Sequence, residues 1–244
     1  MSSDADWEFW LTGNSFDLRG MSESVGTRYF NVYGGVDHWN DCKNDDFRMN
    51  TIYTKGEEDP ILVWQIGYEL VSLFNGAAFL FDQHHRKVGI EALVKGESKV
   101  DYCPHYQKLA LLGKPDLNQH QINQEILNVK DNARLLLLHQ GTENKNFYML
   151  LKYLDMPATW SNYYKILETV ETFAKQDSVD LQTNKTQREK FASTANNYDL
   201  AGFDARHGFK AIAGVNKEKS MTLDQAYIFI SSVVKKYLFR PVTA

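Results

Sequence analysis

The first 55 residues alternate bulky and polar positions over short stretches. WEFWLTGNSFDLR, RYFNVYGG and DFRMNTIYTK each show this period and are separated by Gly, Asn and Asp clusters, as strands and turns require. The period then changes. Asp59 followed by Pro60 supplies a cap and a first-turn proline, and Val63, Ile66, Leu70, Leu73, Ala77 and Leu80 repeat at three and four. These positions predict a helix to about Phe81, buried on several sides because apolar residues also occupy its other faces. KVGIEALVKG and SKVDYC read as two short strands returning to the first sheet.

From about Asn118 the pattern is helical. Ile122, Ile126, Val129, Ala133 and Leu136 predict one helix, and the LLLL run at 135–138 buries it on more than one face. A second helix covers Asn146 to Leu154, and Pro157 separates it from a third striped by Trp160, Tyr164, Leu167, Val170 and Ala174. Links this short predict antiparallel neighbours. KQDSVDLQTNKTQ is an exposed connection into a short helix around Arg188 to Asn196. Thr222 and Gln225 form a capping box for a closing helix that lines Leu223, Ala226, Ile230, Val233 and Tyr237 on one face, with Lys235 and Lys236 near its end. The expectation is an α+β protein: an N-terminal mixed sheet with a long buried helix (1–115), followed by a C-terminal antiparallel helical bundle (116–244).

Composition adds limits. Hydrophobic residues make up 43% and charged residues 24% of the 244 positions, so the chain should fold throughout. A net charge of −4 provides no global basic footprint, and any nucleic-acid contact must be local. Two distant cysteines, Cys42 and Cys103, and an N-terminus without an apolar leader pattern predict a cytoplasmic protein. Gln65, Glu69 and Asn75 interrupt the apolar run from Ile61 to Phe81 and argue against a membrane span. Walker, dinucleotide, paired-cysteine and Gly-x-Ser-x-Gly motifs are absent from the sequence.

The densest polar chemistry lies between Phe191 and Leu223. Asn196, Asn197, Asp204, Arg206 and His207 are more titratable and polar material than a helix connection needs. Two readings of the pair stand side by side. Arg206 stabilises phosphate charge while His207 moves a proton, or Arg206 pins the loop to Asp204 or Glu168 and His207 satisfies backbone groups at a helix junction. Gly208 is read as a position of positive φ. DHWNDCKNDD reads as a solvated loop. Asp37, His38, Asp41, Cys42 and Asp45 offer metal ligands without a known spacing. His84, His85 and Arg86 read as cations at a helix C-terminus. Trp7, Trp10, Tyr29, Tyr33 and Trp39 divide between core and a surface for an aromatic or nucleotide ligand.

A helical bundle, a loop ending in His207-Gly208 and a closing helix over Met221 to Leu238 together resemble the HEPN superfamily, the helical domain of prokaryotic toxins and defence proteins. The stretches TANN, ARHG and MTL, with Asn75-Gly76, also resemble uncharacterised bacterial proteins across most of the chain. The HEPN resemblance implies an antiphage defence or toxin-type protein that acts on or binds RNA, a metal-independent ribonuclease without cofactor, and a homodimer that builds a composite site. It implies His207 and Arg206 as catalytic residues and Asn196, Asn197, Asp204 and Arg188 as binding residues, with no metal. In the family an arginine precedes the histidine by a few positions. Here those positions hold Leu200, Ala201 and Gly202, so Arg206 or Arg188 would have to substitute. The alternative expectation is a non-catalytic ligand-sensing or protein-interaction module with a helical dimerisation domain.

Overall fold

A computed structural model describes residues 7–24, 26–35, 46–96, 98–100, 110–209 and 220–240. Five short strands, β1 (Glu8–Thr12), β2 (Asn31–Gly34), β3 (Phe47–Asn50), β4 (Gly89–Lys95) and β5 (Ser98–Val100), form one sheet in the order β2-β3-β1-β4-β5. Phe9 sits opposite Met49 on one side and Leu93 on the other, and these three fully buried residues mark the inner face. The outer face carries Trp10, with the Arg48 guanidinium 5.5 Å from its ring centre, and Glu8, which accepts from Arg48 at 2.6 Å and from the Tyr33 hydroxyl at 2.6 Å.

The α+β class is as the sequence predicts, but the sheet is antiparallel at every pairing rather than mixed. β3 and β4 do run the same way and are joined through a helix. β1 lies between them, so the crossover unit is split and no parallel ladder forms. A second correction concerns WEFWLTGNSFDLR. Its strand stops at Thr12, and Asn14 then accepts from the amides of Phe16 and Asp17 to start α1 (Ser15–Ser24). Asn14 thus competes as a helix cap with the strand alternation of the flanking aromatics.

The long helix α2 (Pro60–Phe81) begins where the sequence places it, with Asp59 accepting from the Ile61 amide. It packs on β4, on α4 (Ala133–Glu143) and α5 (Lys145–Asp155), and on α9 (Leu223–Leu238). Burial on several sides follows, and the apolar core is continuous from the sheet through α2 into the helices. Two glycines permit the close approaches. A Cβ at Gly67 would enter the Phe9 ring, and one at Gly76 would enter the Leu151 carbonyl of α5.

The helix expected from Asn118 is two helices. α3 (Gln119–Asn128) ends at Val129, and Asn132 caps α4 by accepting from the Leu135 amide. The apolar period alone carried across this break, because a capping asparagine restarts the helix nearly in phase. α6 (Trp160–Gln176) and α9 follow the predicted stripes, α7 (Lys185–Ala195) begins inside the expected connection, three residues before Arg188, and α9 has the expected Thr222–Gln225 capping box. Among the described residues no helix is long and apolar enough to cross a membrane. The metal-ligand set at 37–45, Trp39 and Cys103 lie outside the described residues.

Candidate functional site

The polar segment after α7 is built on one stripe of α6. Tyr164, Glu168 and Glu171 recur at four and three along that helix and therefore share a face. Arg188, in α7, clasps Glu171 through two bonds of 2.6 and 2.8 Å. This hydrogen bonding raises the guanidinium pKa above its ordinary value. Arg206 sits one turn back on the same stripe. Its charge centre lies 4.0 Å from the centre of the Tyr164 ring, and Nη2 donates to Glu168 at 2.9 Å. Its backbone amide donates to the Ala195 carbonyl at the end of α7, at 2.8 Å.

Between those anchors the chain makes a compact turn. The Asn197 side chain accepts from the Asp199 amide at 2.8 Å and caps the single turn α8 (Tyr198–Ala201). Gly202 then takes φ +63 and ψ −143, a backbone region reserved for glycine. The positive φ thus falls at Gly202, and among the described glycines Gly208 has none. A 3-10 turn over Gly202–Asp204 follows. Thr194 closes the base by accepting from the Met221 amide at 3.0 Å, which ties the lead of α9 to α7.

The expected site residues separate into three groups. Arg188 and Arg206 are both engaged by carboxylates of α6, on adjacent turns. Asn196 and Asn197 serve the local backbone: Asn197 as a cap, and Asn196 through its backbone N–H to the Ala192 carbonyl, while its buried side-chain oxygen has no hydrogen-bond partner among the described residues. Asp204 and His207 are exposed. Of the carboxylates named for Arg206, the one it touches is Glu168. Among the described residues a single Arg206 guanidinium nitrogen is bonded, to Glu168, and the others keep donor capacity.

The sequence reading omitted the aromatic groups around this turn. Phe203 is 96% and Phe209 69% exposed, and both stand edge-on to Tyr198, at 5.6 and 5.3 Å between ring centres. These large exposed rings, within a few positions of Arg206 and His207 in the chain, form a ledge of aromatic faces around Tyr198. Their lack of helical or alternating partners was the available signal: Tyr198, Phe203 and Phe209 fit neither period.

The aromatic candidates of the N-terminal half divide. Trp7 and Tyr29 are core, whereas Trp10 and Tyr33 lie on the outer sheet face. Among the described residues no three His, Cys, Asp or Glu side chains come together as they would round a metal ion. His84, His85 and Arg86 follow α2 as expected, but they line a cleft of about 610 Å³ with α1 and the start of α4. In comparisons with known proteins, no family model, no curated protein and no solved structure matches this chain.

Proposed function

We propose that the chain is a HEPN-like RNA-binding protein that holds single-stranded RNA on the Tyr198–Phe203–Phe209 ledge without cutting it. The observation that carries this reading is the exposure of Phe203 and Phe209 beside Arg206 and His207. Exposed aromatic faces stack bases of any sequence, and an adjacent guanidinium meets the backbone phosphate. Binding is favoured over cleavage because Arg206 is held between Glu168 and the Tyr164 ring. A guanidinium so engaged contributes less to the charge that builds on a phosphate during cleavage. Glu168 already takes the Arg206 charge, so stacking is the main contribution this reading assigns to the affinity.

Fluorescence anisotropy with a labelled single-stranded oligoribonucleotide tests this. Phe203→Ala and Phe209→Ala should each weaken binding by about tenfold, from the ~1–3 kcal/mol that one base–aromatic stack contributes. Glu168→Gln should strengthen it severalfold by releasing Arg206 to phosphate. The logarithm of affinity should fall with that of salt at a shallow slope, about 1 to 2, given one guanidinium and one imidazole near the backbone. Binding that is indifferent to both phenylalanines rules the ledge out. RNA cleavage in the presence of chelator, abolished by His207→Ala, would restore the ribonuclease reading in place of the binding one.

A further inference from the structure

The cleft beside α1 shares no residue with the aromatic ledge. It is lined by Phe16 and Asp17 from α1, by Asp82, His85 and Arg86 after α2, and by Arg134 from the first turn of α4. Its volume of about 610 Å³ falls within the roughly 300–1,000 Å³ of small-ligand sites. Arg86 and Asp17 neutralise each other through two bonds of 2.7 Å, and Asp82 accepts from the His84 amide at 2.9 Å. Arg134 has neither an ion pair nor a hydrogen bond among the described residues. The Asp82 carboxylate lies in the same lining but forms no ion pair with it.

His85 is set more tightly than a loop histidine needs to be. The Asn75 amide is oriented by Val88, whose N–H donates to Oδ1 at 3.0 Å and whose carbonyl accepts from Nδ2 at 2.8 Å. Only Oδ1 then faces His85 Nε2, at 3.2 Å, so Nε2 carries the ring proton and Nδ1 is the acceptor. Burial lowers the His85 pKa and the Arg134 charge adds to this, against the opposing carboxylates of Asp82, Asp17 and Asp155, while the ring stands edge-on to Phe74. The imidazole is thereby kept neutral with a lone pair on Nδ1, which makes no hydrogen bond among the described residues. Phe16, 80% exposed, offers an aromatic face from α1.

We propose that this cleft binds a nucleoside monophosphate, with its phosphate on Arg134, a ribose hydroxyl donating to His85 Nδ1 and the base against Phe16. Each of the three parts of such a ligand matches a different unspent group: an anion for a lone guanidinium, a hydroxyl for a fixed acceptor, and a flat ring for an exposed aromatic. Inorganic phosphate satisfies only the first, and a free nucleoside only the other two.

Titration of the full chain by calorimetry with adenosine monophosphate, adenosine and inorganic phosphate, each alone, tests the assignment. The monophosphate should saturate with a Kd below about 1 mM and bind at least about tenfold more tightly than either fragment. Arg134→Gln should weaken the monophosphate about tenfold and leave adenosine unchanged, because it removes one charge-assisted contact. Phe16→Ala should weaken both nucleoside ligands. Both side chains are exposed, so neither change puts folding at risk. No saturation by the monophosphate, equal binding of inorganic phosphate, or an unchanged Kd in Arg134→Gln would each overturn the proposal.

Discussion

Asn75→Ala is the sharpest test of how the cleft is held. Asn75 is buried inside α2 and bonds both backbone groups of Val88, at 2.8 and 3.0 Å, as well as His85 Nε2 at 3.2 Å. Truncation to alanine removes all three bonds, each contributing a net ~0.5–1.5 kcal/mol, and strands the Val88 amide and carbonyl in the interior at a further ~1–3 kcal/mol. Val88 is itself buried, so water cannot readily replace the lost partners. The expected destabilisation is therefore about 3–7 kcal/mol, read as a lower urea midpoint at constant slope. For a chain of this size that corresponds to a fall in Tm of roughly 6–28 °C. Asn75→Asp keeps the acceptor for Val88 N–H and His85 but loses the donor to the Val88 carbonyl, and should lie between wild type and alanine. Asn128→Ala serves as a control, because its bond to Gln124 is exposed and should cost little. A loss below about 1 kcal/mol in Asn75→Ala would show that the segment after α2 is placed by something other than this amide.

Two further outcomes concern the helices. His139 is buried against Tyr29, ring centres 4.0 Å apart, and burial lowers its pKa from 6.5 to about 4. The unfolded chain therefore binds the extra proton between those values, and stability, complete above about pH 6.5, should fall by about 3 kcal/mol as the pH drops to about 4. In His139→Phe, urea titrations at stepped pH should show that slope reduced by up to one proton; an unchanged slope would place the titration elsewhere. Gly20→Ala in α1, where an added Cβ meets no atom within 4 Å, should stabilise by about 0.5–1 kcal/mol. Gly76→Ala, which drives a Cβ into the Leu151 carbonyl, should destabilise by about 1–3 kcal/mol or more. Equal signs for the two changes in chemical denaturation would refute the close packing of α2 on α5.

Much of the helical architecture was legible because its signals are local. Asp59-Pro60 fixes the start of α2 and Thr222 with Gln225 fixes that of α9, each through side chains within one turn of the amides they satisfy. The errors arose where two local signals compete. At Asn14 a cap overrides alternation, and at Asn132 a cap splits a stripe whose period continues past it. Strand partners were less accessible, since the insertion of β1 between β3 and β4 depends on contacts distant in sequence, and alternation records only which face each residue takes.

The polar residues show a different limit, because a side chain's chemistry is decided by what reaches it first. Arg206 carries the same charge in either reading of its loop. Its placement on Glu168 and Tyr164 depends on α6 presenting those residues at the matching turn, and Arg188 repeats the arrangement on Glu171 one turn further along. Two arginines clasped to successive turns of one helix act first as fasteners of the loop and of α7. Asn75 likewise lies within the apolar run of α2, where its period gives it no role, yet it fixes the tautomer of His85 ten residues away. Conversely, Arg134 and Phe16 lack any motif, and their interest comes from lining a cleft in which, among the described residues, Arg134 has no ion pair while Arg86 and Asp17 pair with each other. Residue identity thus limits the chemistry available at each site, while the pairing imposed by the fold decides which of those groups remain free to meet a ligand.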